Sequence, residues 1–108
     1  MSLTLRDAQH LCWKNFRKIN DKLDPEKGKH WTPFATATDL LEKSGDIARA
    51  INALEDSQSD GKAETKVVLA TQLSELLYTI LVLAEHYGIN LEESFLQSMD
   101  DYILKFIK

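Results

Sequence analysis

The chain has 108 residues, 44% of them hydrophobic and 28% charged, with a formal net charge of −4. That length suits a single domain spanning residues 1–108, and the balance is that of a globular chain rather than a disordered one. The acidic charge argues against a nucleic-acid polymer as partner, because phosphate backbones need a basic surface, but it leaves room for a small anion that arrives with a metal ion.

The single cysteine, Cys12, forms no internal disulfide, and its place on an apolar stripe marks it as a packing residue. No apolar run approaches the roughly 20 residues of a membrane span, and no signal peptide opens the chain. The expected location is therefore the cytoplasm, with no membrane partner.

Four helices are predicted. The first runs from about Leu5 to about Lys22. Thr4 is its N-cap, Asp7 lies in its first turn, and Leu5, Ala8, Cys12, Phe16, Ile19 and Leu23 form one stripe. A loop follows from Asp24 to His30, including Pro25. The second helix has the clearest start. Thr32 fits the N-cap and Pro33 the first helical position, where a missing N–H is harmless, and the helix continues to about Leu54. The polar stretch from Glu55 to Gly61 reads as a surface loop.

The third helix runs from about Lys62 to Tyr87, stopping at Gly88. It is apolar almost all round, which predicts a central, buried position. Asn90 caps the fourth helix, with Glu93 forming a box-like pair, and the stripe there is Leu91, Phe95, Met99, Tyr102 and Phe106. Strand-like alternation is missing throughout. The short connections predict an all-α, antiparallel four-helix bundle.

Helical spacing puts Asp39, Glu42 and Asp46 on one side of the second helix, beside the small residues Ala35, Ala50 and Ala53. Spacing alone favours a solvated acidic face. Glu75 alters the balance. It lies on a helix with little polar surface, one turn beyond Gln72, and a carboxylate there needs a partner. A structural ion pair and an all-oxygen magnesium site meet that need equally well.

The stretch from His30 to Phe34, and on through Leu40 to Asn52, resembles the second helix of the MazG-like nucleoside triphosphate pyrophosphohydrolases. There a tryptophan and a proline lead into an E-E-x-x-E motif. The run from Gln72 through Leu83 to Glu93 is similar to that family's third helix and exit, with an E-x-x-D motif followed by an apolar run and a Y-G-I-D-L-E-like turn. The match covers about Trp31 to Phe106.

Several ligand positions depart from the pattern. Glu42 keeps the first acidic position, Lys43 stands where a second glutamate is usual, and Asp46 keeps the third on a shorter arm. Gln72 replaces a glutamate, and Glu75 an aspartate. Late in the fourth helix, where a basic residue is frequent, Asp101 and Ile103 stand instead.

The resemblance implies a magnesium-dependent hydrolase, with manganese as substitute, that cleaves a nucleoside triphosphate between its α and β phosphates to give a monophosphate and pyrophosphate. Glu42, Asp46 and Glu75 would be catalytic and metal-binding, with Gln72 a further oxygen ligand. Lys43 would contact phosphate, and Trp31, Gln9 and Trp13 would line the nucleotide cleft. It also implies a homodimer or tetramer, in keeping with apolar surface on the third helix and at Leu96, Ile103 and Ile107 on the fourth. The alternative is a catalytically inactive binding or interaction module on the same fold, its carboxylates tied to Lys43. His10, His30 and His86 show no metal-ligand spacing, and Lys62 and Lys66 read as a solvated face rather than as a contact to phosphates.

Overall fold

The computed structural model describes residues 2–23, 31–56 and 61–107. The loop expected from Asp24 to His30 lies outside them, with Pro25 and His30, and so do Ser57 to Asp60 of the second loop. The described residues contain four α-helices and no strand: α1 (Leu5–Lys22), α2 (Pro33–Glu55), α3 (Lys62–His86) and α4 (Leu91–Phe106).

The helix ends fall where the local chemistry puts them. The Thr4 hydroxyl accepts the Asp7 N–H (3.0 Å), and Asp7 accepts the Thr4 N–H in return (3.2 Å), closing a capping box on α1. The Thr32 hydroxyl accepts the Ala35 N–H, with Pro33 just inside α2. α3 ends in a Schellman motif. Gly88 takes φ +68°, its N–H donates to the Glu85 carbonyl, and the Ile89 N–H reaches back to the Ala84 carbonyl (2.9 Å). Only a residue without a Cβ takes that left-handed conformation cheaply. Asn90 then accepts the Glu93 N–H and opens α4.

The chain divides into two compact units. One holds α1, α4 and the end of α3 from Leu81; the other runs from Trp31 to Ile80 and holds α2 with the longer part of α3.

In the first unit Leu81, Val82 and Ala84 are buried together with two polar residues of α1, Gln9 and Asn20. The expected stripe of α1 is therefore rotated. Ile19 is exposed, and Asn20 takes the inward place. No residue of α4 is buried; Phe95, Met99, Tyr102 and Phe106 of its predicted stripe are all exposed. Cys12 is half-buried, and burial raises its thiol pKa above the ordinary 9.0, which keeps it protonated and unreactive at neutral pH.

In the second unit Thr36, Ile47 and Thr79 are buried. Lys43 of α2 pairs with Glu75 of α3, while Asp46, Arg49 and Ala50 face Glu64, Thr65, Val68 and Gln72. Partners on α3 run backwards as α2 runs forwards, so the two segments form an antiparallel hairpin.

Two expectations about α3 are corrected here. Its apolar side chains Val67, Val68, Leu73, Leu77 and Ile80 are exposed, so the helix is not buried along its length. There are more apolar positions around it than its neighbours within the chain cover. It also holds a window of mean hydropathy 1.8, long and apolar enough by length and composition to cross a membrane, against the expectation that no run approaches that size. Core helices of soluble proteins pass the same test.

Candidate functional site

The charged side chains of the hairpin sort into two groups. In the first, the Lys43 ammonium lies 3.1 Å from Glu75 Oε2 and 3.4 Å from Asp39 Oδ2. Asp39 and Lys43 are one turn apart, which points both side chains to the same patch. The hydrogen bond to Glu75 raises the Lys43 pKa above its ordinary 10.5; burial works in the opposite direction, and the charge of Asp39 adds to the rise. Lys43 is therefore a firm cation, held between two carboxylates.

The second group lines a hollow of about 380 Å³ bounded by Asp46, Arg49 and Ala50 of α2 and by Glu64, Thr65, Val68 and Gln72 of α3. Asp46 and Arg49 form an ion pair on consecutive turns. The Gln72 Oε1 atom is buried and has no hydrogen-bond partner among the described residues. An acceptor in that state costs free energy until a donor or a cation meets it.

These positions bring some of the sequence candidates together and separate others. Asp46 and Gln72 share the hollow, whereas Glu75 belongs to the Lys43 group. Glu42 is exposed and lines neither. Among the described residues no three His, Cys, Asp or Glu side chains converge as a metal cage. Lys62 and Lys66 are exposed, and Trp31 and Phe34 at the start of α2 are exposed as well.

Gln9 and Trp13 belong to the other unit and are committed there. Gln9 has no exposed surface. Its amide nitrogen donates to Glu85 Oε2 (2.7 Å) and to the Ile89 carbonyl (2.6 Å), and its oxygen accepts the Leu91 N–H (3.1 Å). Arg6 and His10 approach the same Glu85 carboxylate at 3.7 and 3.4 Å. Trp13 stacks on Phe16 with centroids 5.6 Å apart and meets His86 edge-on. These contacts give both residues packing roles within their unit.

Sequence reasoning passed over Arg49, Glu64 and Thr65, all of which line the hollow. A signal for Arg49 was present, since it stands three residues beyond Asp46 and such pairs meet on a helix. Glu64 and Thr65 became neighbours of Asp46 only through the register of the hairpin.

No family model matches this chain, and no solved structure matches it. The uncharacterized protein YvdC of Bacillus subtilis (strain 168) is 33% identical to it over an alignment covering 58% of this chain and 68% of that protein. Identity at that level across most of the relative's length reflects common descent, and the chain belongs to the same family as YvdC.

Proposed function

We propose that this chain is a MazG-like domain of the antiparallel four-helix type, and that it hydrolyses a nucleoside triphosphate to a monophosphate and pyrophosphate with magnesium, or manganese in its place. The observation that carries this reading is that Asp46 and Gln72 line one hollow, while Gln72 Oε1 is buried without a hydrogen-bond partner among the described residues. Magnesium is commonly held by one or two protein oxygens, with waters and substrate phosphates completing its shell. Asp46 and Gln72 fit that limited role, and Glu75 joins them only where Lys43 releases it. Glu42, exposed on α2, needs a change in the hairpin to take part.

Held there by Asp46 and Gln72, the ion would supply counter-charge to the phosphates and a polarised water. The chain's own residues bind and orient, and the reaction calls for no covalent nucleophile. A site with so few carboxylates holds magnesium weakly by itself and more firmly when the nucleotide arrives with it. The exposed apolar rows of α3 and α4 support assembly as a homodimer or tetramer, because soluble monomers rarely leave such patches open.

A second reading is favoured by Lys43. Its ammonium already pairs with Asp39 and Glu75 and offsets one of their two charges, and this supports an inactive binding or interaction module. Pyrophosphate release over a panel of nucleoside triphosphates, with magnesium and with manganese, separates the two. Turnover supports the hydrolase, and no release with either metal leaves the module.

A thermal test is independent of turnover. Millimolar magnesium should raise the melting temperature by mass action, and the double variant Lys43→Glu, Gln72→Glu should enlarge the shift by restoring two carboxylates. No shift in either protein removes the metal from the reading.

A further inference from the structure

Among the described residues Arg49 is the cation that lines the hollow, and the proposed reaction leaves it without a role. Lys43, the residue the resemblance would send to phosphate, is engaged by two carboxylates. Arg49 is held differently. Among the described residues its ion pair is with Asp46, three residues away on the same helix, and the two side chains are 74% and 47% exposed to water. A pair so exposed is weak and exchanges readily.

The backbone beneath it is Gly45. A Cβ built there would come 3.7 Å from Arg49 Nη1, so the guanidinium lies back over the glycine, along the direction in which helical side chains lean. Across the hollow stand Glu64 and Thr65, in the first turn of α3, where the positive end of the helix dipole favours negative charge; the Thr65 N–H itself is paired with the Gly61 carbonyl. Asp46 and Glu64 oppose a bare anion at this place, so charge balance calls for a phosphate accompanied by a divalent cation.

We propose that Arg49 is a phosphate-binding residue that exchanges partners, leaving Asp46 for the pyrophosphate portion of a magnesium-bound ligand while Asp46 turns to the cation. The planar fork of a guanidinium suits two phosphate oxygens at once, which a lysine ammonium does not. Asp46 is thereby masked when the hollow is free of ligand and released when phosphate arrives. The proposal rests on the nucleotide reading of this hollow and names the residue that recognises the anion.

The test is a calorimetric titration of the full chain with magnesium pyrophosphate, paired with the melting-temperature shift produced by magnesium alone. Arg49→Ala should bind magnesium pyrophosphate at least about tenfold more weakly, the loss expected for a charge-assisted hydrogen bond. Its shift with magnesium alone should equal or exceed that of the unchanged chain, because Asp46 is no longer paired. Arg49→Lys should recover part of the pyrophosphate affinity. A purely structural arginine moves both readouts the same way, so a joint loss overturns the proposal, as does unchanged pyrophosphate affinity in Arg49→Ala. A magnesium nucleoside triphosphate should show the same Arg49 dependence as pyrophosphate; dependence for the nucleotide alone places the contact off the phosphates and also overturns it. Turnover is read separately. Arg49-dependent binding without hydrolysis removes the hydrolase reading and leaves this one, while hydrolysis indifferent to Arg49 does the reverse.

Discussion

Glu85 and Glu75 lie on the same helix, and each is the acceptor in a polar cluster, yet the clusters do opposite work. Around Glu85 the key partner is a neutral amide, Gln9, with no exposure, and its three hydrogen bonds use both ends of the amide. Around Glu75 the partner is the Lys43 ammonium, and the carboxylate is 51% exposed. A buried, fully satisfied amide fixes structure, because nothing competes for its bonds and losing one leaves groups stranded. An ion pair at the surface is screened by water and can be traded for another charge. The first unit spends its polar residues on holding α1 to the α3–α4 turn, and the second keeps its charges available for exchange.

The largest expected effect tests the rigid side of this contrast. Gln9→Ala strands the Ile89 carbonyl and the Leu91 N–H and leaves Glu85 Oε2 with Arg6 at 3.7 Å. It should cost about 2–3 kcal/mol and lower the melting temperature by on the order of 10 °C. A loss under about 0.5 kcal/mol in urea unfolding would mean that water replaces the amide freely, and the contrast would break.

Glu85→Gln sharpens the same point. It keeps an acceptor for Gln9 but removes the charge facing Arg6 and His10. The expected loss is about 1 kcal/mol, the difference between a charged and a neutral acceptor, measured by the same unfolding titration.

Lys43→Met probes the exchangeable side and should cost no more than about 1 kcal/mol. Its pH dependence has a definite sign. Because folding raises the Lys43 pKa, the contribution is present in full below the ordinary value of 10.5 and is lost as pH climbs through the raised folded value. The difference in urea midpoint between the unchanged chain and Lys43→Met should therefore be flat from neutral pH to about 10 and shrink above it. A difference that already collapses near pH 7 would assign the effect to another group.

The smallest change is of opposite sign. Gly45→Ala, inside α2 with ordinary van der Waals room beneath Arg49, should stabilise the chain by about 0.5–1 kcal/mol. Destabilisation would show that Arg49 needs the bare backbone.

The sequence alone determined the four helices and their ends. Caps such as Thr4, Thr32 and Asn90, Pro33 inside α2, and Gly88 after α3 act through bonds that span a few residues, so local chemistry decides them. It also marked Glu75 as a residue in need of a partner, from its apolar neighbours on α3, although the structure leaves that carboxylate 51% exposed. Tertiary structure decided which partner that is, since the hairpin register sets Lys43 against Glu75 and Asp46 beside Gln72. The same holds for the inward faces. Apolar periodicity pointed to Ile19 and to the α4 stripe, but Gln9 and Asn20 are buried and the α4 stripe beyond Leu91 is exposed, because burial is set by what each face meets. A helical stripe gives a direction around one axis, and only packing gives that direction a neighbour.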